Sequence, residues 1–234
     1  MNTSMLKNPI FVALDIDDFE VAKILAMRCA KKVGGFKVGP RLLVKYGPRV
    51  ISELAEYAPV FVDNKYYDIP STMISALKAT FEAGASYATI HAQAGSEALT
   101  EIANLERELN AQRFFQVLAV TVLTSYSEKT IPSNWKPLKL AEHVESLADL
   151  TIRSGLTGIV CSPEEAKALR NRHPNSFLVT PGIRLATDSK DDQVRITTPK
   201  EALENGASAL VIGRPIVTAK DPIAAIESIL ASLN

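Results

Sequence analysis

The chain has 234 residues, 47% of them hydrophobic, which is enough to bury a large core and falls within the roughly 200–250 residues of one α/β barrel. Lysine plus arginine and aspartate plus glutamate each number 26, so no overall field draws nucleic acid or an anionic membrane, and any anion site must be local. Cys29 and Cys161 have neither metal-type nor redox-type spacing. Met1 to Pro9 lacks the apolar stretch of a signal peptide, and no segment supplies the ~18 continuous apolar residues of a membrane span. A soluble, cytoplasmic protein in a reducing compartment is expected, with neither nucleic acid nor membrane as a partner.

Short apolar, β-branched runs alternate with longer amphipathic stretches, the rhythm of repeated βα units on a parallel sheet. Strands are expected over Ile10 to Ile16, Gly35 to Val38, Val60 to Lys65, Tyr87 to Ala92, Phe114 to Leu123, Gly158 to Ser162, Phe177 to Ile183 and Ala209 to Arg214. Helices are expected over Phe19 to Lys32, Ile69 to Ala83, Ser96 to Asn110, Leu138 to Ser154, Pro163 to Arg172 and Asp221 to Leu233. Asp17 or Asp18 can cap the first helix, Ser162-Pro163 opens another, and Gly84, Gly155 and Gly206 sit just past helix ends. Eight such units without a Pro- or Ser-rich linker predict a single (β/α)8 TIM barrel spanning residues 1–234, in preference to an open doubly wound sheet.

In such a barrel the reactive groups lie at the C-terminal ends of the strands and in the loops that follow. Polar residues gather at those positions: Asp15, Lys37, Asp63, Lys65, Thr124, Arg184 and Arg214. Residues two apart on a strand project to the same face, so Asp63 and Lys65 are expected to point together into the mouth, with Asp68 in the next loop. A lone Asp-X-Lys pair reads most simply as an ion pair at a strand end. Lys37 on the neighbouring strand changes that, because two lysines interleaved with two aspartates hold one another ionised where water is scarce. Gly213-Arg214 after the eighth strand, with Arg184 after the seventh, offers backbone N–H groups and planar charged forks to a phosphate. Leu185 to Val194 is long and polar enough to serve as a lid, and Gln193 could hydrogen-bond a phosphate beneath it. His91 is read as a packing histidine, and Trp135 as a cover for apolar surface.

Asp63-Asn64-Lys65-Tyr66-Tyr67-Asp68-Ile69-Pro70 resembles the DxKxxDIP signature of orotidine monophosphate decarboxylases. Ala13-Leu14-Asp15, Phe36-Lys37-Val38-Gly39, Thr121-Val122-Leu123-Thr124-Ser125, Pro181-Gly182-Ile183-Arg184, Asp192-Gln193-Val194-Arg195 and Val211-Ile212-Gly213-Arg214 extend the likeness over nearly the whole chain. Ser71 departs from it, standing where asparagine is expected in many relatives. The resemblance implies conversion of orotidine 5′-monophosphate to uridine 5′-monophosphate and CO2, the last step of UMP biosynthesis, without cofactor or metal. By the same resemblance, Lys65 protonates the C6 carbanion, Asp63 lies near the departing carboxylate, and Lys37 and Asp68 complete the charged network. Asp15 and Lys37 would bind ribose hydroxyls, Thr124 the pyrimidine edge, and Gln193, Gly213, Arg184 and Arg214 the phosphate. Pro181 and Ile183 would wall the ring. A homodimer is implied, with Asp68 and Thr72 contributed to the partner's site.

The nearest alternative is a Mg²⁺-dependent decarboxylase resembling 3-keto-gulonate 6-phosphate decarboxylase, whose relatives carry an acid where this chain has Lys37. A phosphate-binding isomerase or aldolase, or a non-catalytic phosphoribosyl-binding protein, is a more distant one.

Overall fold

Runs such as Ile10-Phe11-Val12-Ala13 and Ala209-Leu210-Val211-Ile212 offer no polar face to water, so as strands they need cover on both sides, as a parallel sheet wrapped in helices provides. The computed structural model describes residues 8–183 and 197–233. In chain order its first half comprises β1 (Ile10–Ala13), α1 (Phe19–Cys29), β2 (Gly35–Val38), α2 (Pro40–Tyr46), α3 (Arg49–Ala55), β3 (Val60–Tyr66), α4 (Pro70–Glu82) and β4 (Tyr87–His91). There follow α5 (Ser96–Asn110), β5 (Gln116–Val120), α6 (Leu140–Arg153), β6 (Gly158–Val160), α7 (Pro163–Arg172), β7 (Phe177–Thr180), α8 (Pro199–Glu204), β8 (Ala209–Ile212), α9 (Arg214–Val217) and α10 (Pro222–Ala231). The strands pair in parallel in sequence order, and β8 returns to β1 through Phe11 opposite Val211, closing the eight-stranded barrel.

Alternation along the strands sorts side chains into two populations. Ile10, Val12, Phe36, Val38, Val60 and Val62 face outward to the helices. Phe11, Phe61, Tyr87 and Phe177 face inward and form an aromatic floor across the barrel, Phe11 meeting Phe61 edge-on at 5.7 Å and Tyr87 at 5.2 Å. Tyr87 stacks on Phe177 at 5.8 Å, and burial pushes its phenol up to about 12. Gly35 makes room for this floor, since a Cβ there would come within 2.6 Å of the Phe11 ring.

Local chemistry sets the helix ends. Asp18 rather than Asp17 caps α1, its Oδ1 accepting the Glu20 and Val21 N–H groups at 2.9 and 3.1 Å. At the start of α7 the Ser162 N–H donates to Glu165 Oε2 at 2.7 Å. Gly84, Gly155 and Gly206 all carry positive φ beyond helix ends. The strands are shorter than the apolar runs suggest: β1 stops at Ala13, two residues before Asp15, and Arg214 begins a helix instead of ending β8. Four short helices, α2, α3, α8 and α9, lie outside the expected ones. Each runs to seven residues or fewer, too short for an amphipathic period to stand out. Among the described residues, no helix is long and apolar enough to cross a membrane.

At the end of the barrel away from the strand C-termini, Glu106 of α5 turns its carboxyl onto the Val117 N–H of β5 at 2.5 Å. The residue as a whole is half-buried, but the carboxyl is its enclosed end, and burial pushes its pKa up to about 7 from an ordinary 4.5. The folded state therefore holds a proton that the unfolded chain releases. Folding is not penalised below pH 4.5, stability is lost as pH rises toward 7, and the full cost above that is at most about 3 kcal/mol. Glu106→Gln, which retains an acceptor oxygen, is expected to unfold at higher denaturant than the parent at pH 8 and to match it at pH 4.5. A difference between the two proteins that does not change with pH would mean that the carboxyl keeps its ordinary pKa in the fold.

Candidate active site

The charged residues at the barrel mouth grow directly out of the inward-facing rows. Above Gly35 on β2 stands Lys37, and above Phe61 on β3 stands Asp63, each two residues along the same face. Lys37 is 8% exposed, and its ammonium bridges two carboxylates, lying 2.9 Å from Asp15 Oδ1 and 3.8 Å from Asp63 Oδ2. Asp63 Oδ1 in turn accepts the Lys65 ammonium at 2.8 Å. Side-chain exposure rises from 11% and 17% at Lys37 and Asp63 to 38% and 50% at Lys65 and Asp15. The alternating row therefore sinks into the barrel at Lys37 and Asp63 and reaches the opening at Asp15 and Lys65. Beneath them lies the aromatic floor, a low-dielectric base on which unpaired charges would be costly.

Asp63 and Lys65 do meet, though not by simple alternation. Strand β3 slips against β4 between Val62 and Tyr66, and Lys65 has φ +49°, the one positive φ among described non-glycine residues. A lysine backbone in this left-handed region costs about 1–3 kcal/mol and persists only when its surroundings hold it there. The bulge lifts residue 65 out of the ladder and folds its amine back onto Asp63.

These four side chains line a cavity of about 450 Å³ together with Thr124, Pro181, Gly213 and Arg214, all expected at the site. Arg41, Gly182, Val217 and Thr218 also line it, with Phe61, Val160, Val179 and Val211 among its apolar contributors. Arg41 was not expected. It lies in the first turn of α2, where its guanidinium donates to the Asp15 carbonyl at 2.8 Å and so steadies the loop after β1. Because α2 is too short to read in the sequence, nothing marked this arginine as facing the mouth.

Ile183 does not line the cavity. It is 1% exposed and packs in the outer core, because Gly182 at φ +85° breaks the alternation that would have set residues 181 and 183 on one face. Asp68 and Thr72 are exposed and also stand apart from the cavity. Asp68 forms no ion pair among the described residues, its Oδ1 accepting the neighbouring Ile69 N–H at 2.7 Å. Arg184, Gln193 and the expected lid from Leu185 to Val194 lie outside the described residues.

His91 at the end of β4 is partly buried, with its ring 5.6 Å from that of Tyr67 and its Nδ1 lacking a hydrogen-bond partner. Burial, and secondarily the nearby Lys65 ammonium, holds its imidazole below the ordinary histidine range. Trp135 packs edge-on against Tyr126 at 5.9 Å within an apolar cluster around α6. No group of three or more His, Cys, Asp or Glu residues is placed to hold a metal ion among the described residues.

Known proteins share both the sequence and the architecture. Residues 8–229 match the model of the Orotidine 5′-phosphate decarboxylase / HUMPS family. The orotidine 5′-phosphate decarboxylase of Synechococcus sp. is 46% identical over 92% of each chain. That of Prochlorococcus marinus is 43% identical over 97% of this chain and 96% of its own. The crystal structure of orotidine 5′-phosphate decarboxylase from Lactobacillus acidophilus superposes with a TM-score of 0.83 at 36% identity, covering 97% of this chain and all of the other. With the family model spanning nearly its whole length, this chain belongs to the orotidine 5′-phosphate decarboxylase / HUMPS family.

Proposed function

We propose that this chain removes CO2 from orotidine 5′-monophosphate to give uridine 5′-monophosphate, using the charged row at the barrel mouth and no metal or organic cofactor. The observation that carries this reading is the Lys65 ammonium, 2.8 Å from Asp63 at the open end of a row whose inner lysine is almost fully buried.

Breaking the C6–carboxylate bond leaves an electron pair in the plane of the pyrimidine ring, where the π system cannot spread it. Stabilisation must therefore come from charge fixed in advance, which is worth more in an enclosed site than in water. Lys65 supplies that charge and then donates a proton from Nζ to C6, recovering it afterwards from solvent. Asp63, against the departing carboxylate, disfavours the ground state more than the transition state, because its repulsion falls as CO2 loses its charge. Lys37 neutralises Asp63 from behind and, with Asp15, serves the ribose hydroxyls. Thr124 reads the amide edge of the pyrimidine, and Pro181 supplies an apolar wall.

The phosphate is assigned to Gly213 and Arg214, where β8 gives way to the short helix α9, together with Arg184 and Gln193. Loops after the seventh and eighth strands with an extra short helix are a recurrent phosphate site in these barrels. Asp68 and Thr72 are assigned to the site of a second copy, giving a homodimer. Their exposure supports this, as does the company of Tyr67 and Ile69, 61% and 64% exposed on the same loop.

The Mg²⁺-dependent alternative is disfavoured by Lys37, whose ammonium already occupies the space between Asp15 and Asp63 that a divalent cation would need. Turnover, followed as loss of the ultraviolet absorbance of orotidine monophosphate, is expected to be unchanged when the protein and buffers are treated with EDTA. Loss of activity on chelation and its return with Mg²⁺ would move the assignment to the metal-dependent branch.

A further inference from the structure

Three residues of β3, Asp63, Asn64 and Lys65, lie between Val62 and Tyr66, whose partners on β4 are Ala88 and Ile90. A single residue, Thr89, therefore stands opposite the entire bulge. It is fully buried and faces inward, two residues above Tyr87 in the aromatic floor. A hydroxyl can accept and donate at once, and this one does both across the bulge. Thr89 Oγ1 accepts the Lys65 N–H at 2.9 Å and donates to Asp63 Oδ1 at 3.0 Å, with the Val62 carbonyl farther off at 3.5 Å. Asp63 Oδ1 is the same oxygen that receives the Lys65 ammonium. The contacts close a ring running from the Lys65 backbone through Thr89 to the Asp63 carboxylate and back through the Lys65 side chain.

We infer that Thr89 is a positioning residue for the decarboxylation. Its hydroxyl holds Lys65 in the left-handed conformation that turns the amine into the cavity, and it fixes the rotamer of Asp63. Without the hydroxyl, the Lys65 N–H would lose its acceptor and Asp63 Oδ1 would keep only its lysine. The left-handed backbone would then lose its restraint, and the ammonium would spread over several orientations. Substrate binding, which draws on the phosphate, ribose and ring contacts, would be little affected. Displacing a reacting group by about 1 Å can cost 10²-fold in rate.

The inference rests on Lys65 and Asp63 being the reacting pair, and four variants separate the two claims. Thr89→Val removes the hydroxyl at constant volume, Thr89→Ala removes hydroxyl and methyl, Thr89→Ser keeps the hydroxyl alone, and Lys65→Ala tests the pair itself. Steady-state decarboxylation should show kcat reduced by about 10- to 100-fold in the valine and alanine variants, with KM for orotidine monophosphate within about threefold. The serine variant should keep kcat within about threefold of the parent, although it also loses the buried methyl. Packing alone would instead rank serine with alanine. Should Thr89→Val not fold, the serine and alanine variants, which differ only in the hydroxyl, decide the matter. Parental kcat without the hydroxyl, or a serine variant as slow as the alanine one, overturns the role of Thr89 while an inactive Lys65→Ala leaves the catalytic pair standing. An active Lys65→Ala overturns both.

Discussion

Lys65→Ala is expected to lose turnover by at least about 10⁴-fold, the combined scale of a missing proton donor and a missing preorganised charge. Two functions disappear together in this variant. No cation faces the carbanion as CO2 leaves, and no acid stands within reach to quench it. Asp63 keeps Lys37 as a counter-charge at 3.8 Å and the Thr89 hydroxyl at 3.0 Å, so the truncation leaves no bare buried carboxylate. The removed side chain is 38% exposed and lies at the mouth, outside the packed core. Alanine inherits the left-handed backbone at much the same cost that lysine bears, so thermal unfolding is expected within a few degrees of the parent. Circular dichroism through the melt and an ultraviolet assay at high enzyme concentration measure the two halves of this expectation. A folded variant with near-parental rate would remove the assigned role of Lys65.

The second large effect concerns residues that stand outside their own cavity. Asp68→Ala should also be nearly inactive, down by about 10²-fold or more if a carboxylate of the charged network is missing from every site. Yet Asp68 is exposed and has no ion-pair partner among the described residues of its own chain, so the deficit should be repairable from outside. Mixing inactive Lys65→Ala and Asp68→Ala proteins under subunit exchange makes hybrids with one site carrying both residues and one carrying neither. With random exchange half the dimers are hybrid, and recovery should approach about a quarter of parental activity. The signature is activity that appears on mixing two dead proteins and follows exchange in time. Confirmed exchange without recovery would return Asp68 to its own chain, reached by rearrangement of its loop.

How legible this was from the residues varied with the range over which each feature is encoded. Strand positions follow from local apolar runs, and Gly35 to Val38 was expected to the residue. Strand ends did not follow, because apolar character continues past the point where pairing stops, as at Leu14, Ile16 and Val122. Helices of two turns or fewer escaped notice, and Arg41 escaped with them. The case of Lys65 is more instructive: period two predicted the right neighbour by the wrong geometry, since a bulge needs the register of β4 to define it. Thr89 was invisible for the same reason. In Tyr87-Ala88-Thr89-Ile90-His91 it reads as an ordinary β-branched strand residue, and only the slip at Val62 turns it into the counterpart of three residues at once. An inward-facing hydroxyl two positions beyond a floor aromatic was the one available signal.

The aromatic floor has a consequence for the order of events. Among the described residues, Phe11, Phe61, Tyr87 and Phe177 stopper the barrel below the charged row, which faces the opposite end. On the proposed reading the bound nucleotide stands between that floor and solvent, and CO2 is released on its inner side. Carbon dioxide that leaves by the mouth passes the bound product or follows it, so departure of the two products is coupled.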